Sequence, residues 1–288
     1  MKGCYLSIDF EDFSHDLQRA LGIKKPQTRK NALMFSIQRI METIKNSPGS
    51  NEVTFFTTGQ VARDHGEIIK ELSNNGHEIG CHSYYHDNVH KLGRDSFARS
   101  LDKAIEVISK SSGKKVYGFR APSFSILPQD DWAYEELAKR FVYDSSYVCE
   151  ERSQPENTTD IKTFGDKKLI EFPIYSYRVL PGFKARVIGG TYLKVLPLNI
   201  IKKLINKAID AGFLPLIYLH PYEFLSDNEF WVKSSDLKEI SIFRRFYWQI
   251  RQNQWLTIGN KNLLYKLSEI LKIFPNMGTM KSHLDYRK

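Results

Sequence analysis

Four short stretches carry the side chains best able to do chemistry. The first, SIDFEDF, crowds Asp9, Glu11 and Asp12 into four positions directly after a short apolar run. The second, CHSYYH, spaces His82 and His86 at i, i+4, which on a helical turn puts both imidazoles on one face, where they can share a metal ion. The intervening Ser83, Tyr84 and Tyr85 exclude the HExxH base of zinc proteases. The third, GFRAPSF, sets Arg120 ahead of Pro122, which stiffens the turn. A buried arginine there needs a carboxylate partner, and beside a base it would hold that base ionised and oriented. The fourth, IYLHPYEF, places His220 after a run too apolar for a loop, and in isolation it reads as a core histidine. One carboxylate of the first stretch would complete a two-His, one-carboxylate metal site with positions open to water and substrate. His77, Glu78 and His90 lie close by and are read as structural.

The elements that must position these groups follow from the periodicity. GCYLSID, VTFFTTG and HEIGCH read as strands, separated by helical patterns over Asn31–Lys45 and Gln60–Asn75. A helix over Asp95–Ser109 carries Phe97, Leu101, Ile105 and Ile108 on one face; VYGFRAPSF, a helix over Asp130–Phe141, and VYDSSYV continue the alternation. Between Cys149 and Lys168 the pattern lapses into polar residues, as in a surface excursion. LIEFPIY and RVIGGTYLKVLP read as strands, and a helix over Leu198–Ala211 leads into LPLIYLHPYEF, the most apolar strand. Such alternation implies βαβ units and a parallel sheet, whether closed into a barrel or open. Three of the polar clusters stand at the ends of predicted strands, where loops of a parallel α/β fold converge on a ligand.

Composition bounds the remainder. At 288 residues with 41% hydrophobic content the chain can bury one sizeable core, so global disorder is excluded. Three cysteines, Cys4, Cys81 and Cys149, with no CxxC spacing argue against a disulfide framework or a cysteine-built zinc site. The opening apolar run is too short for a signal peptide, and no run reaches the roughly 18 apolar residues of a spanning helix. The expected location is therefore cytoplasmic, with association at the inner face of a membrane as a further expectation. The net charge of +9 is concentrated late: from Val232 to Lys288 eleven Lys or Arg stand against four Asp or Glu. Contact with an anionic membrane through Arg244–Trp255 is one expectation from that tail, and packing on the barrel the plainer one. Nucleic acid is not expected, since no recognition motif accompanies the charge.

In this order, Asp9 with Glu11 and Asp12, His82-x-x-x-His86, Arg120-x-Pro122 and Leu219-His220-Pro221 resemble the motifs of the polysaccharide deacetylase family (NodB homology, carbohydrate esterase family 4). YDSSY, LIEFP, GGTYLKVLP, RRFYW and GTM extend the resemblance over nearly the whole chain, toward a cytosolic branch associated with exopolysaccharide and O-antigen synthesis. The resemblance implies an α/β fold, a distorted (β/α) barrel, with a C-terminal helical extension: residues 1–230 as the barrel and 231–288 as a basic helical segment packed on it. It implies a divalent metal, zinc first, with manganese, cobalt or nickel as alternatives, and removal of an N-acetyl group from an amino-sugar glycan or its nucleotide- or lipid-linked precursor.

Carried over by residue, Asp9 matches the base, His220 the acid, Arg120 the residue that orients the base, and His82 and His86 the metal ligands. Leu219 would sit at the acetyl methyl, with Pro122 and Ser123 as substrate contacts and a backbone N–H near Ser123 facing the oxyanion. The third ligand is open between Glu11 and Asp12: if the strand continues, Glu11 shares the face of Asp9, and if the chain turns, Asp12 replaces it. Glu11 is narrowly favoured. Two departures stand out: common members have adjacent aspartates in the first motif, and an aromatic where Ser123 stands. Glu171 is the expected partner of the acid. The competing readings are a related hydrolase of C–N bonds in a non-sugar amide and a non-catalytic glycan-binding protein.

Overall fold

Strand β1 (Tyr5–Phe10) is buried along its whole length, so both of its faces meet protein. Alternation sorts its side chains. Leu6, Ile8 and Phe10 join the larger apolar core, while Tyr5 joins a smaller one on the opposite face, shared with Ser7 and Asp9. Burial on both faces is the mark of a parallel strand covered by helices on one side.

The computed structural model of the chain describes residues 3–23, 30–151, 159–180, 183–186, 188–227 and 231–285. After β1 come β2 (Thr54–Thr57), β3 (Glu78–Cys81), β4 (Gly118–Phe119), β5 (Tyr143–Asp144), β6 (Val148–Cys149), β7 (Asp160–Phe164), β8 (Lys167–Glu171), β9 (Ile174–Tyr175), β10 (Tyr177–Leu180), β11 (Phe183–Ala185) and β12 (Leu216–Leu219). Eight of them form one sheet in the order β12-β1-β2-β3-β4-β5-β8-β7, parallel throughout except for the edge strand β7. Among the described residues its two end strands do not pair with each other, so the expected barrel is an open, curled half-barrel. Curling is visible in one contact. Arg120, at the end of β4, bonds Ser7 and Asp9 on β1, three strands away, about 14 Å in a flat sheet and beyond any side chain.

Helices α1 (Phe13–Leu21), α2 (Lys30–Lys45), α3 (Gly59–Asp64), α4 (Gly66–Asn74), α5 (Val89–Leu92), α6 (Arg94–Ser112), α7 (Asp131–Ala138), α8 (Gly190–Val195), α9 (Leu198–Asp210), α10 (Ile242–Thr257), α11 (Leu263–Leu271) and α12 (Met280–Asp285) complete the order. Ile40 of α2, Ile69 of α4, Leu101 of α6, Ile205 of α9 and Leu267 of α11 share the large core with the outer face of the sheet. The concave face is closed at its amino end by α12. Met280 is buried there, its N–H donating to Thr54 Oγ1 (2.9 Å), while the Lys281 N–H donates to Glu78 Oε2 (3.0 Å). The carboxyl ends of the strands are left open.

Three sequence expectations are corrected. GGTYLKV is helix α8, not strand: Gly189 lies so close to Tyr218 that a Cβ would stand 2.4 Å from the ring, and the helix starting there buries Leu193 and Lys194. Tertiary packing overrides the β-leaning residues. The polar excursion contains β7, folded on β8 through the two-residue turn Gly165-Asp166 with Gly165 at φ 59°, a left-handed geometry that suits glycine; residues 152–158 lie outside the described set. The helix expected over Gln60–Asn75 is broken at His65 into α3 and α4.

Candidate functional site

Every motif residue leaves the sheet at the same edge. Asp9 and Phe10 end β1, His82 follows β3, Arg120 follows β4 and His220 follows β12. Arg120 is fully buried. Its Nη1 donates to Asp9 Oδ1 (2.8 Å) and Ser7 Oγ (2.7 Å), its Nη2 to Ser145 Oγ (3.0 Å) and its Nε to the Ser145 carbonyl (3.3 Å), and its guanidinium carbon lies 4.2 Å from the centre of the Phe56 ring. Burial alone would raise the Asp9 carboxyl, but Arg120, His82 and His220 outweigh it and hold Asp9 below its ordinary value.

Glu11, His82 and His86 converge: one ligand atom from each lies within 4.8 Å of the others. The Arg120 carbonyl sits 2.8 Å from His82 Nδ1 and can only accept, so Nδ1 carries the proton and Nε2 keeps its lone pair. Burial also pushes His82 down to about 4, which keeps it neutral near pH 7. His86 Nε2 is 2.9 Å from Glu11 Oε2, and Arg19 of α1 donates to the Tyr85 carbonyl (2.6 Å) and His86 Nδ1 (3.3 Å), tying the loop down. One carboxylate and two imidazoles suit a divalent transition ion. Asp12 stands apart: its carboxylate faces His65 at 3.6 Å, because the chain continues one residue past Glu11 and turns into α1. The structure thus corrects the inclusion of Asp12 among the ligand candidates.

His220 Nε2 lies 3.6 Å from Glu11 Oε1 and 4.0 Å from Asp9 Oδ2. On its other side, Nδ1 is 3.4 Å from Glu223 Oε2, which also accepts the His220 backbone N–H (2.9 Å). Burial would lower the imidazole, but Glu223, Glu11 and Asp9 hold it up at about 9. The expected partner Glu171 lies elsewhere, beside Asp144 in a fully buried carboxyl pair. Glu223 was legible in the stretch His220-Pro-Tyr-Glu223: these residues form a 3-10 turn, which eclipses positions i and i+3. Leu219 is also corrected. Alternation turns Tyr218 toward the concave core and Leu219 into the helix-side core, away from the site.

Four non-glycine residues with positive φ occur among the described residues, Ser83 (61°), His86 (59°), Ser123 (55°) and Phe124 (57°), and all lie in the two loops bearing motif residues. Such conformations cost energy and persist where packing dictates them, here to aim His86 and the Ser123 loop. Around these groups lies a cavity of about 290 Å³ lined by Asp9, Glu11, His82, His86, Ser123 and His220. Pro122 is buried and does not line it. Arg186, Tyr192, Tyr222, Arg251, Gln252 and Trp255, which the motif reading missed, form a further part of its wall. Tyr222 stacks on His220 with ring centres 5.0 Å apart. The signal for the α10 residues was the interleaving of basic and aromatic side chains in FRRFYWQIRQNQW. His77 accepts the Val53 N–H and His90 pairs with Asp130 at 3.0 Å, so both are structural.

Residues 49–142 match the family model for polysaccharide deacetylase, and residues 147–257 match that of a domain of unknown function, DUF3473. A peptidoglycan-N-acetylglucosamine deacetylase of Bacillus cereus is 34% identical over 86 residues, 30% of this chain and 31% of that protein. The chain thus spans about a third of that relative. Among solved structures, a Mycobacterium smegmatis protein assigned as a polysaccharide deacetylase superposes with a TM-score of 0.55 at 19% identity, over 96% of this chain and 93% of its own. A carbohydrate esterase family 4 pseudoenzyme of Bacillus anthracis gives 0.51 at 14% identity, over 99% and 66%. At these identities the likeness is one of fold.

Proposed function

Residues 49–142 carry a polysaccharide deacetylase domain, and from that premise we propose that the protein is a metal-dependent hydrolase removing an N-acetyl group from an amino sugar. The carrying observation is the convergence on one cavity of a carboxylate paired to a buried arginine, a Glu-His-His donor set, and a histidine backed by a glutamate. Glu11, His82 and His86 would hold the ion, zinc in this reading, with manganese, cobalt or nickel as alternatives. A bound divalent ion supplies Lewis acidity to the amide carbonyl and makes water a stronger acid. Asp9, kept ionised by Arg120, takes the proton of the attacking water. His220 enters protonated and gives its proton to the departing amine, without which nitrogen leaves poorly. Glu223 keeps that imidazole oriented and charged. Ser123 lines the cavity, and its backbone N–H would serve as the oxyanion donor.

The substrate we propose is a nucleotide- or lipid-linked precursor of a surface polysaccharide, acted on in the cytoplasm. Arg186 and Arg251 support an anionic substrate: both line the cavity, and among the described residues neither forms an ion pair. We further propose the division into a barrel over residues 1–230 and a segment over 231–288 that packs on it. Leu263, Leu267, Ile270 and Leu271 share its core. The test is metal-dependent acetate release from amino-sugar conjugates by the wild type and Asp9→Asn. Release abolished by a chelator and lost in the variant is expected; equal turnover by Asp9→Asn would refute the mechanism, and tight sugar binding without hydrolysis under any divalent metal would favour a binding protein.

A further inference from the structure

Helix α10 faces two ways. On its inner side Gln252 and Leu256 are buried, Trp248 packs against Leu17, Ile23, Val232 and Leu237, and Arg251, Gln252 and Trp255 line the cavity. On its outer side Ile242, Phe243, Phe246, Tyr247 and Ile250 are between 55% and 86% exposed. Positions i, i+1, i+4, i+5 and i+8 share one side of a helix, so the five form one stripe. A surface helix ordinarily carries charge there. With a whole aromatic residue offering 150–250 Å², the stripe leaves roughly 700 Å² of mainly apolar surface, more than the largest patch of a typical monomer.

The charge around the stripe says what covers it. Arg244, Arg245 and Arg251 are the charged residues of α10, which has no acidic side chain. Arg245 is spent on the carbonyls of Ile240 (2.7 Å) and Lys238 (2.6 Å). Arg244 and Arg251, both exposed, project by helical periodicity from the edge of the stripe nearer the cavity side. A second copy docking two-fold across the stripe would bring the arginine pairs of the copies together, an unfavourable contact. An apolar layer with an anionic rim meets both features.

We propose that the outer face of α10 docks on an anionic phospholipid surface, with Phe243, Phe246 and Tyr247 in the boundary between headgroups and acyl chains and Arg244 on lipid phosphates. Because the opposite side of the same helix walls the cavity, docking sets the cavity beside the bilayer, where the sugar of a lipid-linked precursor would lie. That consequence rests on the function proposed above; the docking does not.

The experiment is co-sedimentation of the full chain, without substrate, with vesicles of phosphatidylcholine alone or mixed with phosphatidylglycerol. Binding to the anionic vesicles, weakened by salt and reduced about tenfold or more in Phe243→Ser/Phe246→Ser, is the expected result. The double variant should unfold at the wild-type temperature and release acetate from a water-soluble N-acetyl amino sugar at the wild-type rate. No binding to anionic vesicles overturns the proposal, as does equal binding by the double variant, or a wild-type dimer in sedimentation velocity that the double variant abolishes. Failure of acetate release in the wild type refutes the enzymatic reading instead and leaves the vesicle result to stand on its own.

Discussion

Arg120→Met is the most informative single perturbation, because the structure gives its cost and a way to check the cause. The methionine fills most of the volume but leaves Asp9, buried and ionised, without its cation, and leaves Ser7 and Ser145 without their donor. Removing one partner of a buried pair costs about 3–5 kcal/mol. For 288 residues, an unfolding entropy near 2.1 cal/mol/K per residue sums to about 0.6 kcal/mol/K, so a loss of about 4 kcal/mol lowers Tm by about 6–7 °C. Asp9→Asn keeps an acceptor for Arg120 but removes the charge, and should cost about 1–2 kcal/mol. If the pair is the cause, the double variant removes both stranded charges and is less destabilised than the sum by about 2 kcal/mol. Denaturant unfolding of the four proteins, metal-free, reads the cycle through the shift in midpoint at constant m. Strict additivity would refute the argument, since the guanidinium would then contribute through its bonds to Ser7 and Ser145 and its packing on Phe56, and not through Asp9.

Three further outcomes follow from the site and its surroundings. Zinc affinity by competition with a chelator should fall at least tenfold in Glu11→Gln and stay within a few-fold of wild type in Asp12→Asn; equal losses would return Asp12 to the ligand set. In Glu223→Gln the imidazole of His220 loses the carboxylate that raises it toward about 9. The protonated acid is the working form, so the alkaline limb of the rate profile should move to lower pH, with kcat reduced most above pH 8 and least near pH 6. An unmoved limb would remove Glu223 from its role. Glu171 and Asp144 are fully buried against each other, and burial raises both carboxyls above their ordinary values. Groups raised on folding contribute stability that is whole below the unfolded-state pKa and lost as pH rises, so Glu171→Gln should flatten the fall in Tm from pH 5 to pH 8; an unchanged slope would contradict the pairing.

How much of the site the chain disclosed varies with the distance over which the signal acts. The i, i+4 spacing of His82 and His86 and the crowding of Asp9, Glu11 and Asp12 are local, and they name the candidates directly while leaving Glu11 and Asp12 both open. Glu223 is equally local, three residues from His220, yet it looks like any surface acid until the 3-10 turn eclipses the pair. Glu171 was the expected partner of the acid, but the sheet order sets it beside Asp144, toward the edge opposite β12. Leu219 shows the same limit at its smallest scale: one step along a strand exchanges the site for the helix-side core.

From the sequence alone came the βαβ alternation, the strand ends as the place of chemistry, the donor types and their order. Each follows from local periodicity, which the chain carries without help from distant residues. The curl of the sheet could come only from the tertiary structure, because it depends on packing between strands far apart in sequence, and it is the curl that lets Arg120 reach Asp9. The same holds for the turn into α1 that sets Glu11, and not Asp12, beside His82 and His86, and for α10, whose mixed sequence gained two distinct faces only when Gln252 and Leu256 were buried and Phe243 and Phe246 were not.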